Sequence, residues 1–248
     1  MKPLIIAHRG ASREAPENTL KAFRLAVERG ADGIELDLFL SADGVPVVTH
    51  DDNLNRLTGH NLVTKNLTFS RLRELDFGQG EKIPTLSEVF EEVGGKLRVI
   101  NVEIKSTGFF TNGVEAKLIA LIQKFHLDEK IYISSFNPLH LLRVKRLAPH
   151  LKTGYLISPT SRHWIPRRKT IIRHSGAFSI NLDYHWANEA RLKNYRSLGK
   201  EIWVWTVDDP DEMKKWISKG VAAIITNYPE RLRKVLSEGA IALTKPIC

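Results

Sequence analysis

Short apolar runs alternate along the chain with segments whose apolar positions recur at helical spacing. Eight runs read as strands: Leu4–Ala7, Gly33–Leu40, Leu97–Ile104, Ile131–Ser135, Thr153–Ile157, Ala177–Leu182, Glu201–Val207 and Ala222–Thr226. Several are apolar at consecutive positions, as strands covered on both faces of a parallel sheet are. Asn18–Arg29 keeps Leu20, Phe23 and Val27 on one stripe and reads as a helix. So do Leu86–Val93, Gly113–Phe125, Pro138–Leu147, Ala187–Leu198, Pro210–Lys219 and Pro229–Ser237. Asp209-Pro210 and Tyr228-Pro229 place proline in a first helical turn, while Gly30, Gly199 and Gly220 follow helix ends. Eight strand–helix units in 248 residues predict an α/β protein, a closed (β/α)8 TIM barrel. An open doubly wound sheet is the second choice. It lacks support because no glycine-rich phosphate fingerprint follows the first strand.

The spacing is regular except between the second and third strands. The expected arrangement is one domain over 1–248, with an insertion at about 41–86 between the second strand and its following helix. That stretch holds a turn at Ala42-Asp43-Gly44, a β-like run Pro46–Thr49 and then His50-Asp51. A long loop in a compact domain is usually functional, and this one is expected at the C-terminal mouth of the barrel. The tail Gly239–Cys248 is expected to pack loosely.

Composition is that of an ordinary globular protein, 42% hydrophobic and 26% charged. The apolar runs are far too short to span a membrane, and the start is too short for a signal peptide, so a cytoplasmic protein is expected. The single cysteine, Cys248, excludes an intramolecular disulfide and a cysteine metal cluster. A net charge of +9 raises the question of nucleic acid. Much of the excess lies between Arg162 and His174 without any nucleic-acid motif, so a solvated basic face is expected and no nucleic-acid partner. The same positive field suits a small anionic substrate. Homo-oligomer formation is left open.

The chemistry gathers at strand ends. Leu4-Ile5-Ile6-Ala7 runs into His8-Arg9-Gly10, an imidazole beside a fixed cation. The second strand offers Glu35 and Asp37, two residues apart and so on one face. Two carboxylates on one side of an apolar strand repel unless a cation lies between them. The third strand repeats the device with Glu103 and Lys105. Three carboxylates without cysteine describe a hard divalent cation, Mg²⁺ or Ca²⁺, with Mn²⁺ able to substitute. His50, at the end of the β-like run, supplies a second imidazole; a pair with His8 suits acid–base cleavage of a phosphodiester.

In their order, these residues resemble the glycerophosphodiester phosphodiesterase family of metal-dependent barrels, in the phosphatidylinositol-phosphodiesterase superfamily. The matching pieces run from about residue 4 to 236. They are His8-Arg9-Gly10, Pro16-Glu17-Asn18-Thr19, Glu35-x-Asp37, Asp43-Gly44, His50-Asp51, Arg56-x-Thr58-Gly59, Pro84-Thr85-Leu86, Glu103-x-Lys105, Ser135-Phe136, Trp205-Thr206-Val207 and Thr226 with Tyr228-Pro229. The resemblance implies metal-dependent hydrolysis of glycerophosphodiesters to sn-glycerol 3-phosphate and an alcohol. It also implies roles: His8 and His50 as the acid/base pair, Glu35, Asp37 and Glu103 as cation ligands, and Arg9 and Lys105 on the phosphoryl oxygens. Glu17 is assigned to metal or substrate, and Trp205 to the glycerol unit. The substrate's own 2-hydroxyl would attack phosphorus, giving a cyclic phosphate that water opens. Asn227 stands where the family often has aspartate, and Asp208 where asparagine is common. Both lie outside the metal and histidine set, so the departure bears on substrate preference. Two alternatives remain: a lysophospholipase D-like activity, with Phe109-Phe110 meeting an acyl chain and Arg162–Lys169 meeting anionic headgroups, and a non-enzymatic anion-binding barrel.

Overall fold

The strands close into a cylinder because each apolar run is covered on its outer face by the helix that follows it. A computed structural model describes residues 2–105, 111–159 and 169–244. In chain order the strands are β1 (Leu4–His8), β2 (Gly33–Leu40), β3 (Pro46–Val48), β4 (Val99–Ile104), β5 (Ile131–Ser135), β6 (Lys152–Ile157), β7 (Ser179–Asp183), β8 (Glu201–Trp205) and β9 (Ala223–Thr226). The helices are α1 (Leu20–Glu28), α2 (Asn55–Thr58), α3 (Phe69–Glu74), α4 (Leu86–Val93), α5 (Val114–Lys124), α6 (Pro138–Leu147), α7 (Lys169–His174), α8 (Glu189–Arg196), α9 (Pro210–Ser218) and α10 (Pro229–Thr244). β1 pairs in parallel with both β2 and β9, which closes an eight-stranded parallel barrel. β3 stands outside it, antiparallel to the end of β2.

All eight expected strands are present, with ends displaced by a residue or two. α7 is an addition: no helical stripe was legible in that basic segment, where Ile172 is buried against the neighbouring core. Phe109-Phe110, Arg162–Arg168 and Cys248 lie outside the described residues. No helix among the described residues is long and apolar enough to cross a membrane.

The period-2 pattern of the strands sorts side chains between two layers. Outward, Ile34, Leu36, Leu38, Ile100 and Val102 pack with Phe23 and Ala26 of α1 and Val89, Phe90 and Val93 of α4. Inward, Ile6, Val99, Tyr132, Trp203, Ala223 and Ile225 form an apolar plug. Above the plug the inward positions turn polar.

Local signals set the entries to the helices. Thr19 caps α1 by accepting from the Ala22 N–H, and Thr85 with Glu88 forms a reciprocal capping box on α4. Gly10 has φ +82°, and a Cβ there would lie 2.6 Å from the Ala22 carbonyl carbon, so only glycine lets the turn after β1 cross α1 so closely.

Between β2 and α4 the chain builds a small unit around Val47, Leu54, Leu72, Phe77 and Ile83. A tight turn begins it: Ser41 N–H donates to the Val45 carbonyl, and Ser41 Oγ donates to Asp43 Oδ1 at 2.6 Å. β3 then runs back along β2, pairing Phe39 with Val47 and Leu38 with Val48. Thr49 N–H donates to the Asp37 carbonyl at 3.0 Å, so His50 is delivered beside the carboxyl end of β2.

Candidate active site

Register aligns the polar residues in two rows. His8 sits beside Glu35 and Glu35 beside Asn101; one step further along, Asp37 sits beside Glu103 and Glu103 beside Ser134. Of these, His8, Glu35, Asn101 and Glu103 line a cavity of about 160 Å³ together with His50, Arg9 and Lys105, and its apolar side is Phe136, Leu156, Trp205 and Ile225. Trp205 donates its indole N–H to the Asn181 carbonyl at 3.0 Å and meets Phe136 edge-on, with ring centroids 5.8 Å apart. Both rings therefore face the cavity with fixed orientation.

Glu35, Asp37 and Glu103 are buried, and one carboxylate oxygen from each lies within 4.8 Å of the others. Their charges are handled unequally. Asp37 receives Lys105 Nζ at 3.1 Å, Arg9 Nε at 3.3 Å and the Asn18 amide at 2.9 Å. Burial works against its ionisation, but Lys105 and Arg9 outweigh burial and hold it far below the usual carboxylate range. Glu35 is pushed well above that range by burial and by the nearby Asp37 and Glu103 carboxylates. Glu103 is also raised, first by burial, although Lys105 Nζ lies 2.9 Å away and opposes the shift. The cluster thus carries more carboxylates than its two cations can neutralise.

That imbalance, with an all-oxygen donor set, fits a hard divalent cation. Asn101 strengthens the fit: it is 1% exposed, it lines the cavity, and neither of its amide atoms has a hydrogen-bond partner. Such groups are rarely left unpaired in a protein interior without a ligand or water to satisfy them.

Both imidazoles line the same cavity as Glu35 and Glu103. His8 Nδ1 lies 2.7 Å from Asn227 Oδ1, and Nε2 lies 3.9 Å from Glu35 Oε2. Burial, then the Arg9 charge, lowers its pKa to about 4, so the ring is neutral at ordinary pH. His50 Nδ1 lies 2.6 Å from Asp51 Oδ1. Burial lowers its pKa too, with Asp37 and Asp51 working in the opposite direction.

Arg9 holds φ 56°, an unfavourable region for a residue with a Cβ. Its N–H donates to Glu35 Oε2 at 3.1 Å, and its carbonyl accepts from Asn18 N–H at 3.0 Å. These bonds fix the bend that turns the guanidinium toward Asp37.

Glu17, assigned from sequence to metal or substrate, lies outside the acidic triad. It joins Arg9 Nη1 at 3.0 Å to Arg56, which donates to both of its oxygens and, through Nε, to Asp51 Oδ2 at 2.7 Å. Glu17, Arg56 and Asp51 thereby tie the loop before α1 to the segment carrying His50. Asn227 was set apart from the histidines by sequence pattern, yet it is hydrogen-bonded to His8. Asn18, Arg56, Asn101 and Phe136 were also given no role; all but Arg56 and Asn18 line the cavity directly. The remaining histidines lie elsewhere: His140 is buried against Glu115 at 2.7 Å, and His185 is exposed beside Asp183.

Comparison with known proteins follows the same outline. The family model for the glycerophosphoryl diester phosphodiesterase family matches residues 8–231. The chain is 40% identical over 251 residues to a glycerophosphodiester phosphodiesterase of Caldanaerobacter subterraneus subsp. tengcongensis, covering 96% of this chain and all of that one. An Oleispira antarctica phosphodiesterase, solved with the product sn-glycerol-3-phosphate, superposes with TM-score 0.81 at 28% identity, covering 95% of this chain and 97% of that one. A Thermotoga maritima glycerophosphodiester phosphodiesterase superposes with TM-score 0.76 at 32% identity, covering 95% and 99%. With the fold, the acidic cluster and the match over nearly its whole length in agreement, the chain belongs to the glycerophosphoryl diester phosphodiesterase family, a family of phosphoric diester hydrolases.

Proposed function

We propose that the protein hydrolyses glycerophosphodiesters to sn-glycerol 3-phosphate and an alcohol, using His8 and His50 as proton carriers and a divalent cation held by Glu35, Asp37 and Glu103. The observation that carries this reading is the meeting of both imidazoles with Glu35 and Glu103 at one cavity, beside Arg9 and Lys105, with an Asp37 oxygen within 4.8 Å of the other two acids.

His8 Nε2 takes the proton of the substrate's 2-hydroxyl as that oxygen attacks phosphorus. The bond from phosphorus to the alcohol oxygen breaks, and the departing oxygen receives a proton from His50. A cyclic phosphate results. In the second half His50 takes a proton from water as its oxygen attacks phosphorus, and the ring opens at the 2-oxygen, which regains a proton from His8. The partners of the two rings support this division: a carboxylate, Asp51, opposes the lowering that burial imposes on His50, whereas His8 faces an amide oxygen and is lowered to about 4. Lys105 uses two of its three N–H donors on Asp37 and Glu103, leaving one for a phosphoryl oxygen. Bound divalent metal would supply charge stabilisation at the phosphoryl oxygens and acidify the attacking hydroxyl. Phe136 and Trp205 offer aromatic faces to the glycerol or alcohol carbon chain.

The direct test is a screen with Mg²⁺, Ca²⁺ or Mn²⁺ present, measuring glycerol 3-phosphate released from glycerophosphocholine, glycerophosphoethanolamine and lysophosphatidylcholine. Release from the first two is expected. No glycerol 3-phosphate from any glycerophosphodiester with any of the three metals would overturn the reading.

Cation binding carries its own prediction. Glu35 and Glu103 have folded pKa values above their unfolded ones, so their protonated forms stabilise the metal-free fold at low pH. That contribution is lost as pH rises through the elevated folded values. A divalent cation displaces those protons, so its stabilising effect must grow with pH. At 100-fold excess over Kd, binding contributes about 2.7 kcal/mol, roughly 5–10 °C in Tm for a chain of this size. Thermal melts of chelated protein with and without Mg²⁺ should show this shift at pH 8 and a smaller one at pH 5. Equal shifts at both pH values would contradict the assignment.

A further inference from the structure

We infer that Asp208 is a positioning residue for the hydrolysis: acting through the Asn227 amide, it holds His8 in the Nδ1–H tautomer and leaves the Nε2 lone pair for substrate. The inference rests on the role proposed for His8.

Asp208 follows β8 and Asn227 follows β9, and barrel closure sets β9 between β8 and β1, so Asn227 stands between Asp208 and His8. Asp208 Oδ1 accepts from the Asn227 N–H at 2.9 Å and from Thr226 Oγ1 at 3.0 Å, which fixes the carboxylate. Its Oδ2 lies 2.6 Å from Asn227 Nδ2. A carboxylate offers only acceptors, so the amide must turn its NH2 group toward Asp208. With the amide reversed, two oxygens would face each other at hydrogen-bonding distance. Asn227 Oδ1 is therefore directed at His8 Nδ1, 2.7 Å away, where Ser12 Oγ also donates to it at 2.8 Å. An amide oxygen only accepts, so the proton of a neutral His8 resides on Nδ1. Nε2 is left unprotonated, the form a general base requires.

His50 meets its carboxylate directly, at Asp51. His8 meets Asp208 only through an amide, which passes on orientation without placing a negative charge against the ring. Asp208 itself does not line the cavity.

The test uses full-length protein labelled with ¹⁵N-histidine at a pH where the rings are neutral, reading tautomers from long-range ¹H–¹⁵N correlations. The His8 signals are identified by their loss in His8→Gln. Wild type is expected to show His8 as the Nδ1–H form alone. Asp208→Asn is nearly isosteric and removes the bias on the amide, so the Nε2–H form should appear. Its kcat should fall about 10–100-fold, the usual cost of losing an orienting partner, with KM within about twofold. The exchanged pair Asp208→Asn/Asn227→Asp should restore the Nδ1–H form and most of kcat. An unchanged tautomer in Asp208→Asn overturns the inference, as does a changed tautomer with unchanged kcat. Full activity in His8→Ala would remove the catalytic role of His8; the tautomer measurement would still report separately on Asp208.

Discussion

Replacing either His8 or His50 by alanine is expected to lower kcat about 10²–10⁴-fold, with KM within a few-fold. Each ring presents to the cavity the nitrogen that its partner leaves free, since Nδ1 is taken by Asn227 in one case and Asp51 in the other. Removing a ring therefore removes proton transfer and little else. His50 packs at the edge of the site, with its side chain 31% exposed, so its loss should hardly move Tm. His185→Ala is the matched control, because that ring is exposed, bonds to Asp183 and does not line the cavity. Steady-state kinetics of the three variants, purified free of host phosphodiesterases, decide the matter. Near-normal turnover in both His8→Ala and His50→Ala would reject the acid–base assignment.

The acids should divide by sign. Glu35→Gln replaces a buried carboxyl that resists ionisation with a neutral group of the same shape, able still to accept from the Arg9 N–H. The metal-free variant should be more stable than wild type at pH 8, while its cation response and activity fall at least about 100-fold, beyond the loss typical of an outer-shell partner. Asp37→Asn should lose activity to a similar degree with the opposite effect on stability. Asp37 is 1% exposed and is the acid of the cluster that Arg9 and Lys105 hold ionised, so neutralising it breaks two buried ion pairs, at a cost of about 3–5 kcal/mol. Denaturant melts on chelated protein, paired with Mg²⁺ titration, test both halves. Two variants with the same sign of stability change would show that the charge distribution described above is wrong.

The strands were legible because buried parallel strands write themselves as apolar runs, and the acids because an inward-facing carboxylate interrupts such a run at every second position. Glu35-x-Asp37 and Glu103-x-Lys105 carry this signal locally. Partners supplied by distant segments carry none. Asn227 reaches His8 across 219 positions only because β9 closes the barrel against β1. Arg56 reaches Glu17 across 39 positions through a unit with its own small core. The resemblance therefore assigns Glu17 to metal or substrate, whereas its surroundings make it a link between two arginines. α7 escaped notice for another reason: a six-residue helix rich in cations shows too little apolar stripe to reveal its period.

The antiparallel pairing of β3 with β2 bears on which changes in chain length the protein can tolerate. Side chains alternate faces along a strand, so a slip of one position exchanges the inner set for the outer. The imidazole at position 50 hangs from that alternation, counted from a turn only a few residues long. A single deletion between Ser41 and Val45 would send it to the wrong side of the ribbon, whereas the loop around His60, beyond the β2–β3 pairing and closed by its own Asn53–Val63 bridge, can lengthen or shorten without that penalty. Natural length variation among relatives should accordingly fall after the histidine and spare the few residues before it.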